Sequence, residues 1–315
     1  MISVLVIGYN RPDLLESCIS SILTDEYPVE IFVHLDGPKN EKEKKLTDLC
    51  SKVVENFTSS NLQDLRLEVH KSNLGCKQGV WCALRWFFSH RDSGLILEDD
   101  IVLLPGALNT TAFMLDKYEL DHSIGQISLS NQLARNYGSR VSYFYSNYPF
   151  IWGWATWRDR WQTNIENIGP FLNSFQQTIQ ARNIRSQIGR SAFDFWMRKF
   201  SLVSKRKVDT WDFQWHFSNW HHGRKAIMFN RNFAINIGFD ERATHTRVPL
   251  SLDLKNMRQL TRERSESVIV KKAKFRFVSI SDRRLSSRIF GIPDYLFHPL
   301  KFWILKFRDL ASRFY

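Results

Sequence analysis

At 315 residues the chain is long for one domain and short for three, and 43% hydrophobic content with 24 Phe and 11 Trp supplies a substantial core, so long disorder is excluded. Lys and Arg exceed Asp and Glu by 44 to 32, yet 15 basic and five acidic residues fall in 255–315, which alone carries +10 of the net +12. The preceding 254 residues are nearly neutral at +2, which speaks against a nucleic-acid role for them.

In chain order, Ser3 to Ile7 is a β-branched run ending at Gly8, the pattern of a buried parallel strand. Asn10 is placed to cap the following helix, with Pro12 in its first turn and Leu14, Leu15, Cys18, Ile19 and Ile22 as its apolar stripe. A second strand runs from Val29 to Leu35 and ends at Asp36-Gly37-Pro38, with a Lys- and Glu-rich helix from near Glu41. Leu65, Leu67 and Val69 form a third strand. After Asn73-Leu74-Gly75 a helix carries Val80, Leu84, Phe87 and Phe88. Gly94 to Leu97 is the fourth strand, and it runs into Glu98-Asp99-Asp100.

Three adjacent carboxylates repel one another, so inside an apolar run they require a cation or hydrogen-bond donors, unless they form a solvated turn. The alternation of strands and helices implies a parallel, doubly wound α/β sheet, whose ligands bind beyond the carboxyl ends of the strands. Asn10-Arg11, Asp36, Asn73 and the acidic triplet all lie at such ends, which favours a metal over four unrelated turns. Neither G-x-x-x-x-G-K-[ST] nor G-x-G-x-x-G follows the first strand, so phosphate would be held by a metal on carboxylates together with basic side chains.

Val4-Leu-Val-Ile-Gly-Tyr-Asn-Arg-Pro12, His34-Leu-Asp36-Gly37, Asn73-Leu-Gly75 and Leu97-Glu-Asp-Asp100, in that order, resemble a GT-A fold glycosyltransferase. The acidic motif is closest to the N-acetylglucosaminyltransferase I type, and the opening is similar to bacterial family 2 glycosyltransferases. The likeness is good over roughly the first 130 residues and patchy afterwards. It implies a GT-A (nucleotide-diphospho-sugar transferase) doubly wound mixed sheet flanked by helices. It also implies that Arg11, Asp36, Asn73 and Asp99 bind the nucleotide, that Asp100 ligates Mn²⁺ or Mg²⁺ on the donor diphosphate, and that Glu98 supports the turn.

Beyond the triplet, a helix from Pro105-Gly106 to about Tyr118 and a strand from Ile124 to Leu129 are expected. Phe150-Ile-Trp-Gly-Trp-Ala-Thr-Trp157 is either a hydrophobic plug or a surface on which sugar rings stack. Similar runs in bacterial glycosyltransferases point to Trp154 and Trp157 as the acceptor- or sugar-binding residues. Asn164 to Lys207 reads as an amphipathic helical lid or acceptor-side subdomain.

An inverting transfer needs a base for the acceptor hydroxyl. The resemblance selects Asp212 in Val208-Asp-Thr-Trp-Asp-Phe-Gln-Trp-His216, with Asp209 and His216 as rivals and an N-cap role expected for Asp209. A strand from Ala226 to Ile235 leads to the polar loop Asn236–Thr246. There His245 would be a metal ligand or phosphate contact, with Arg242 and Arg247 beside the leaving group.

The predicted division is a catalytic domain over 1–250, split into a nucleotide-sugar half (1–132) and an acceptor half (133–250), then a basic aromatic helical extension over 251–315. Leu300, Trp303, Ile304, Phe307, Leu310 and Phe314 share one stripe of that tail, as in a helix lying on an anionic membrane or one docked on the domain. Cys18, Cys50, Cys76 and Cys82 lack C-x-x-C or matching His spacing and read as reduced, mostly buried helical thiols of a cytosolic protein. Met1–Gly8 lacks the features of a signal peptide, and no apolar run reaches about 18 residues. The expectation is therefore a cytoplasmic enzyme, peripheral at the inner face of the membrane. It would move a hexosyl or N-acetylhexosaminyl group from a UDP-sugar to a glycan or lipid-linked acceptor, in polysaccharide biosynthesis. The alternative is a non-catalytic, membrane-associated sugar-nucleotide or carbohydrate-binding protein on a degenerate GT-A fold.

Overall fold

The computed structural model describes residues 1–59, 65–131 and 142–238, together with residues 282, 283 and 286. Strands β1 (Ile2–Gly8), β2 (Val29–Leu35), β3 (Leu65–Val69) and β4 (Ser93–Glu98) alternate with helices α1 (Pro12–Leu23), α2 (Glu41–Ser59) and α3 (Gly75–His90). The four strands are parallel, in spatial order β3-β2-β1-β4. The expected stripe of α1 is buried at Leu14, Leu15, Cys18, Ile19 and Ile22. Asn10 does not cap this helix. Arg11 occupies the N-cap with no side-chain cap hydrogen bond, because its guanidinium reaches across to the acidic triplet.

The sheet then becomes mixed. After β5 (Ile101–Leu103) and α4 (Ala107–Tyr118) come β6 (Ile124–Ser128), β7 (Tyr143–Ser146) and β8 (Trp154–Trp157). Strand β8 inserts antiparallel between β4 and β6, and the eight-stranded order closes with β9 (Lys225–Phe229) and then β7. The single strand expected from Ala226 to Ile235 is two. The chain turns after Phe229, and β10 (Ala234–Asn236) leaves the large sheet to pair antiparallel with β5. That departure brings Asn236 opposite Ile101, directly beyond the triplet.

The long helical stretch expected from Asn164 is broken into shorter pieces. Following α5 (Arg158–Gln162) are a 3-10 turn (Gly169–Phe171), α6 (Leu172–Gln176), α7 (Ile179–Ile188), α8 (Arg190–Ser204) and α9 (Asp212–His221). Their apolar faces form a separate core around Phe175, Phe193, Trp196, Phe200, Phe217 and Trp220. Asp209 lies three residues ahead of α9, and the N-cap is Trp211. All four cysteines sit on helices as free thiols, but only Cys18 and Cys50 are buried. No described helix is long and apolar enough to cross a membrane. The expected boundaries at 132/133 and 250/251, the loop with Arg242, His245 and Arg247, and the stripe of residues 300–314 lie outside the described residues.

Candidate active site

The carboxyl ends of β1, β2 and β4 carry the polar residues singled out from the sequence, but they divide into two clusters. In the first, Arg11 ion-pairs with Asp99 and lies 3.1 Å from Asp100. Asp99 is held in place by its own N–H donating to the Ile7 carbonyl of β1 at 2.9 Å. Asp100 is approached from β10: Asn236 Nδ2 donates to Oδ1 at 3.3 Å, and the Ile237 N–H donates to the Asp100 carbonyl at 2.8 Å. A Cβ built at Gly238 would collide with Oδ2 of Asp100, so only glycine lets the late chain pass this close.

In the second cluster Asp36 ends β2 and anchors the start of α3. Oδ1 accepts from the N–H groups of Gly37 and Leu74, both at 2.8 Å, and Oδ2 accepts from Asn73 Nδ2 at 2.9 Å and the Gly75 N–H at 3.1 Å. A carboxylate at a helix N-terminus is favoured by the orphan N–H groups and the dipole there. Gly37 is needed here because a Cβ would lie 2.5 Å from the Ser72 backbone. Asp36 and Asn73 thus bind each other and the helix start, while Arg11 and Asp99 bind each other.

Electrically, the triplet is short of cations. Burial raises the Asp99 pKa to about 6, against the lowering effect of Arg11, and burial likewise raises that of Asp100. Glu98 is pushed up to about 8 by burial and then by the charges of Asp100 and Asp99. Asp212 adds to the same shift, and Trp211 just before it stacks on Trp154 of β8, the strand paired with β4, which ties the start of α9 to β4. Cys76 on α3 marks the cleft from the other side. Its thiol is pushed up to about 12 by the protein around it and then by Glu98, Asp212, Asp209 and Asp36.

Among the described residues, no three His, Cys, Asp or Glu are grouped to hold a metal. The donor set nevertheless fits a hard divalent cation of the Mg²⁺ or Mn²⁺ kind, which takes one or two carboxylates and completes its shell with phosphate oxygens and water. Asp100 would be that carboxylate, since Arg11 engages both oxygens of Asp99 but only one of Asp100.

Trp154 and Trp157 are not at the cleft surface. Strand β8 is buried at all four positions, with Trp154 packed into one core and Trp157 into another. Trp154, 1% exposed, stacks on Trp211 at 5.6 Å, while Trp157, 3% exposed, donates from Nε1 to the Leu115 carbonyl at 3.2 Å. With both rings spent on packing, neither offers a face to a sugar, and the plug alternative describes them. Trp154 still bears on the site at one remove, through Trp211 next to Asp212. His216 is likewise withdrawn, buried against Trp196 at 4.1 Å and Trp220 at 4.7 Å.

Two residues escaped the sequence reading. Asn236 was visible as the start of the late polar loop. Thr210, whose Oγ1 donates to Asp212 Oδ1, was visible only as a hydroxyl two residues before an aspartate.

Residues 3–206, about two thirds of the chain, match the family model described as glycosyl transferase family 2. No curated protein matches. Among solved structures, the chain is 16% identical to the mannosyltransferase PcManGT from Pyrobaculum calidifontis in complex with GDP-Man and Mn²⁺, covering 50% of this chain and 44% of that one, with a TM-score of 0.37. It therefore spans less than half the length of that enzyme. It is 10% identical to the galactosyltransferase LgtC in complex with donor and acceptor sugar analogues, over 69% of this chain and 70% of that one, with a TM-score of 0.36. An active-site mutant of LgtC aligns at 9% identity over 84% and 85%, with a TM-score of 0.39.

Proposed function

We propose, from the premise that this chain belongs to glycosyl transferase family 2, that it is an inverting, metal-dependent enzyme that moves a hexosyl or N-acetylhexosaminyl group from a UDP-sugar to a hydroxyl of a glycan or glycolipid. The observation that carries this reading is the fixed carboxylate beyond β4 with a second acid on the helix packed against the neighbouring strand. Asp100 after β4 is held by Arg11 and Asn236, and Asp212 opens α9 next to Trp211, which stacks on Trp154 of β8, the strand paired with β4.

In this reading Asp100 holds Mn²⁺ or Mg²⁺ against the donor diphosphate. The bound cation would neutralise charge on the departing UDP oxygen. Arg11 keeps Asp99 ionised and in position, next to the ribose or sugar, and is itself available to the diphosphate once a cation occupies Asp100. Asp36 and Asn73 shape the nucleotide end by fixing the start of α3. Asp212 accepts the acceptor hydroxyl proton as that oxygen attacks the anomeric carbon and the bond to the diphosphate oxygen breaks. Thr210 donates to Asp212 and so fixes which way its carboxylate turns. His245 adds a contact to the diphosphate or the metal.

The test is UDP release from a panel of UDP-sugars with Mn²⁺ present. Asp100→Ala is expected to reduce it by about 10²- to 10³-fold, the effect of removing one electrostatic stabiliser. Background release by the native protein, or no change in the variant, sinks the assignment. Tight UDP-sugar binding without turnover selects the non-catalytic alternative instead.

A further inference from the structure

The neutrality of the first 254 residues conceals a separation of charge. Between Ile179 and Val208 lie eight Lys and Arg (Arg182, Arg185, Arg190, Arg198, Lys199, Lys205, Arg206, Lys207) and a single acid, Asp194. This stretch carries +7, so the rest of residues 1–254 carries −5. It is α7, α8 and the turn after them. The buried residues of α8 are Ala192, Phe193, Trp196, Phe200 and Val203, which places Arg190, Arg198 and Leu202 on the opposite arc at helical spacing. Seven of the eight cations are exposed, and Lys199 is half-buried. Arg190 makes a 3.6 Å contact with Asp194, and Arg185 lies 6.0 Å over Phe193, tying α7 to α8.

Large apolar side chains stand among these cations. Ile179 is 56% exposed, Leu202 37% and Val208 36%. A face that binds only a soluble polyanion gains nothing from exposed aliphatic side chains. One that lies in the headgroup region of a bilayer gains from both, through attraction to anionic lipid and burial of the apolar tips.

The basic tail is tied to the same helical half at Asp282 and Arg283. Asp282 is buried and accepts from Asn147 N–H at 2.9 Å, from Asn147 Nδ2 at 2.6 Å and from Ser146 Oγ at 2.5 Å. Arg283 donates to the carbonyls of Gln187 and Ser186 at the end of α7, both at 3.2 Å.

We propose that the solvent face of α7 and α8, with the Lys205–Val208 turn, is a docking surface for an anionic lipid bilayer. The turn leads within four residues to Asp212, so docking would hold a lipid-carried acceptor next to the candidate base. Only this last consequence rests on the function proposed above, because bilayer binding itself does not depend on it.

The test is co-sedimentation of the full chain with vesicles of phosphatidylcholine alone or with 30% phosphatidylglycerol, a composition on the order of natural anionic leaflets. Native protein is expected to bind only the anionic vesicles. The variant Arg182→Gln, Arg198→Gln, Lys205→Gln, Lys207→Gln, with its tail intact, is expected to bind them at least ~10-fold more weakly, losing attraction at each neutralised site. Its circular dichroism and UDP release should be unchanged. A second variant, Leu202→Ser with Val208→Ser, should weaken vesicle binding and leave heparin binding as it was. The proposal is overturned if the fourfold variant binds vesicles like the native chain, which would assign binding to the tail. It is equally overturned if native protein does not distinguish the two vesicles, or if it binds heparin and no vesicle.

Discussion

The sheet half and the helical half of this molecule handle charge in opposite ways. At the end of β4, acidic groups are buried and crowded until their pKa values rise, and at the end of β2 Asp36 is buried and fixed by backbone donors. On α7 and α8, basic groups are exposed and largely separate from acids. A buried charge must be compensated by a specific partner, so in the proposed function the first arrangement takes a small cation in one place. Exposed charge is screened and diffuse, so the second selects an extended anionic surface. Asp212 stands at the seam, contributed by the helical half to the cleft of the sheet half.

The sharpest way to break this comparison is at the seam. Asp212→Asn keeps the shape of the carboxylate and removes its basicity. Transfer to an acceptor should fall by about 10²- to 10⁴-fold with the donor KM nearly unchanged. Hydrolytic UDP release should fall less than transfer, since water is the nucleophile there and needs no acceptor alignment. Equal loss in both, with a raised donor KM, would move Asp212 from the acceptor side to the nucleotide.

A smaller effect compares the two buried aspartates that tie segments together. Asp36→Ala strands the Gly37, Leu74 and Gly75 N–H groups and Asn73, and is expected to cost about 3 kcal/mol of stability at roughly 1–3 kcal/mol per unsatisfied buried group. Asp282→Ala releases the tail from Ser146 and Asn147. It should cost less in urea denaturation, because burial disfavours the Asp282 charge to begin with. Limited proteolysis should then cut the tail of Asp282→Ala first and the α3 region of Asp36→Ala first.

Much of the sheet half was legible because strand, turn and helix repeat at short range. The pattern of Ile2–Gly8, Val29–Leu35, Leu65–Val69 and Ser93–Glu98 is local, and polar residues at strand ends follow from it. What those residues bond to was not legible. That Asp36 accepts from Leu74, or that Arg11 donates to Asp99 rather than to solvent or nucleotide, depends on segments 38 and 88 residues apart. Aromatic composition revealed that Trp154 and Trp157 pack somewhere, but not that β8 would insert between β4 and β6 with a separate core on each face, one around Trp154 and one around Trp157. The cationic face was hidden by counting charge over 254 residues, since an acidic region elsewhere cancelled it.

The smallest expected effect asks whether the two halves unfold together. His34 on β2 and His216 on α9 are both buried and held neutral, with pKa values lowered from 6.5 to about 4 and about 3. Burial is the main cause for both, and the neighbouring His70 ring, 2.9 Å away through Nε2, adds to it for His34. As pH falls below 6.5 the unfolded chain takes up these protons while the folded chain does not. The stability each neutral imidazole provides is complete above pH 6.5 and drains away toward pH 4, by about 2 kcal/mol apiece at pH 5. The melting temperature should therefore drop between pH 7 and pH 5, and replacing either histidine with Phe should flatten that drop. The 11 tryptophans are spread over both halves, so fluorescence is read instead from an environment-sensitive dye on Leu202→Cys of α8, with Cys76 and Cys82 replaced by Ser, which follows the helical half, while far-ultraviolet circular dichroism follows both halves. If the halves are one cooperative unit, both probes shift equally in each variant. If they are separate, His216→Phe flattens the fluorescence midpoint alone and His34→Phe leaves it untouched, and the acidic cleft would then be assembled from two parts that open independently.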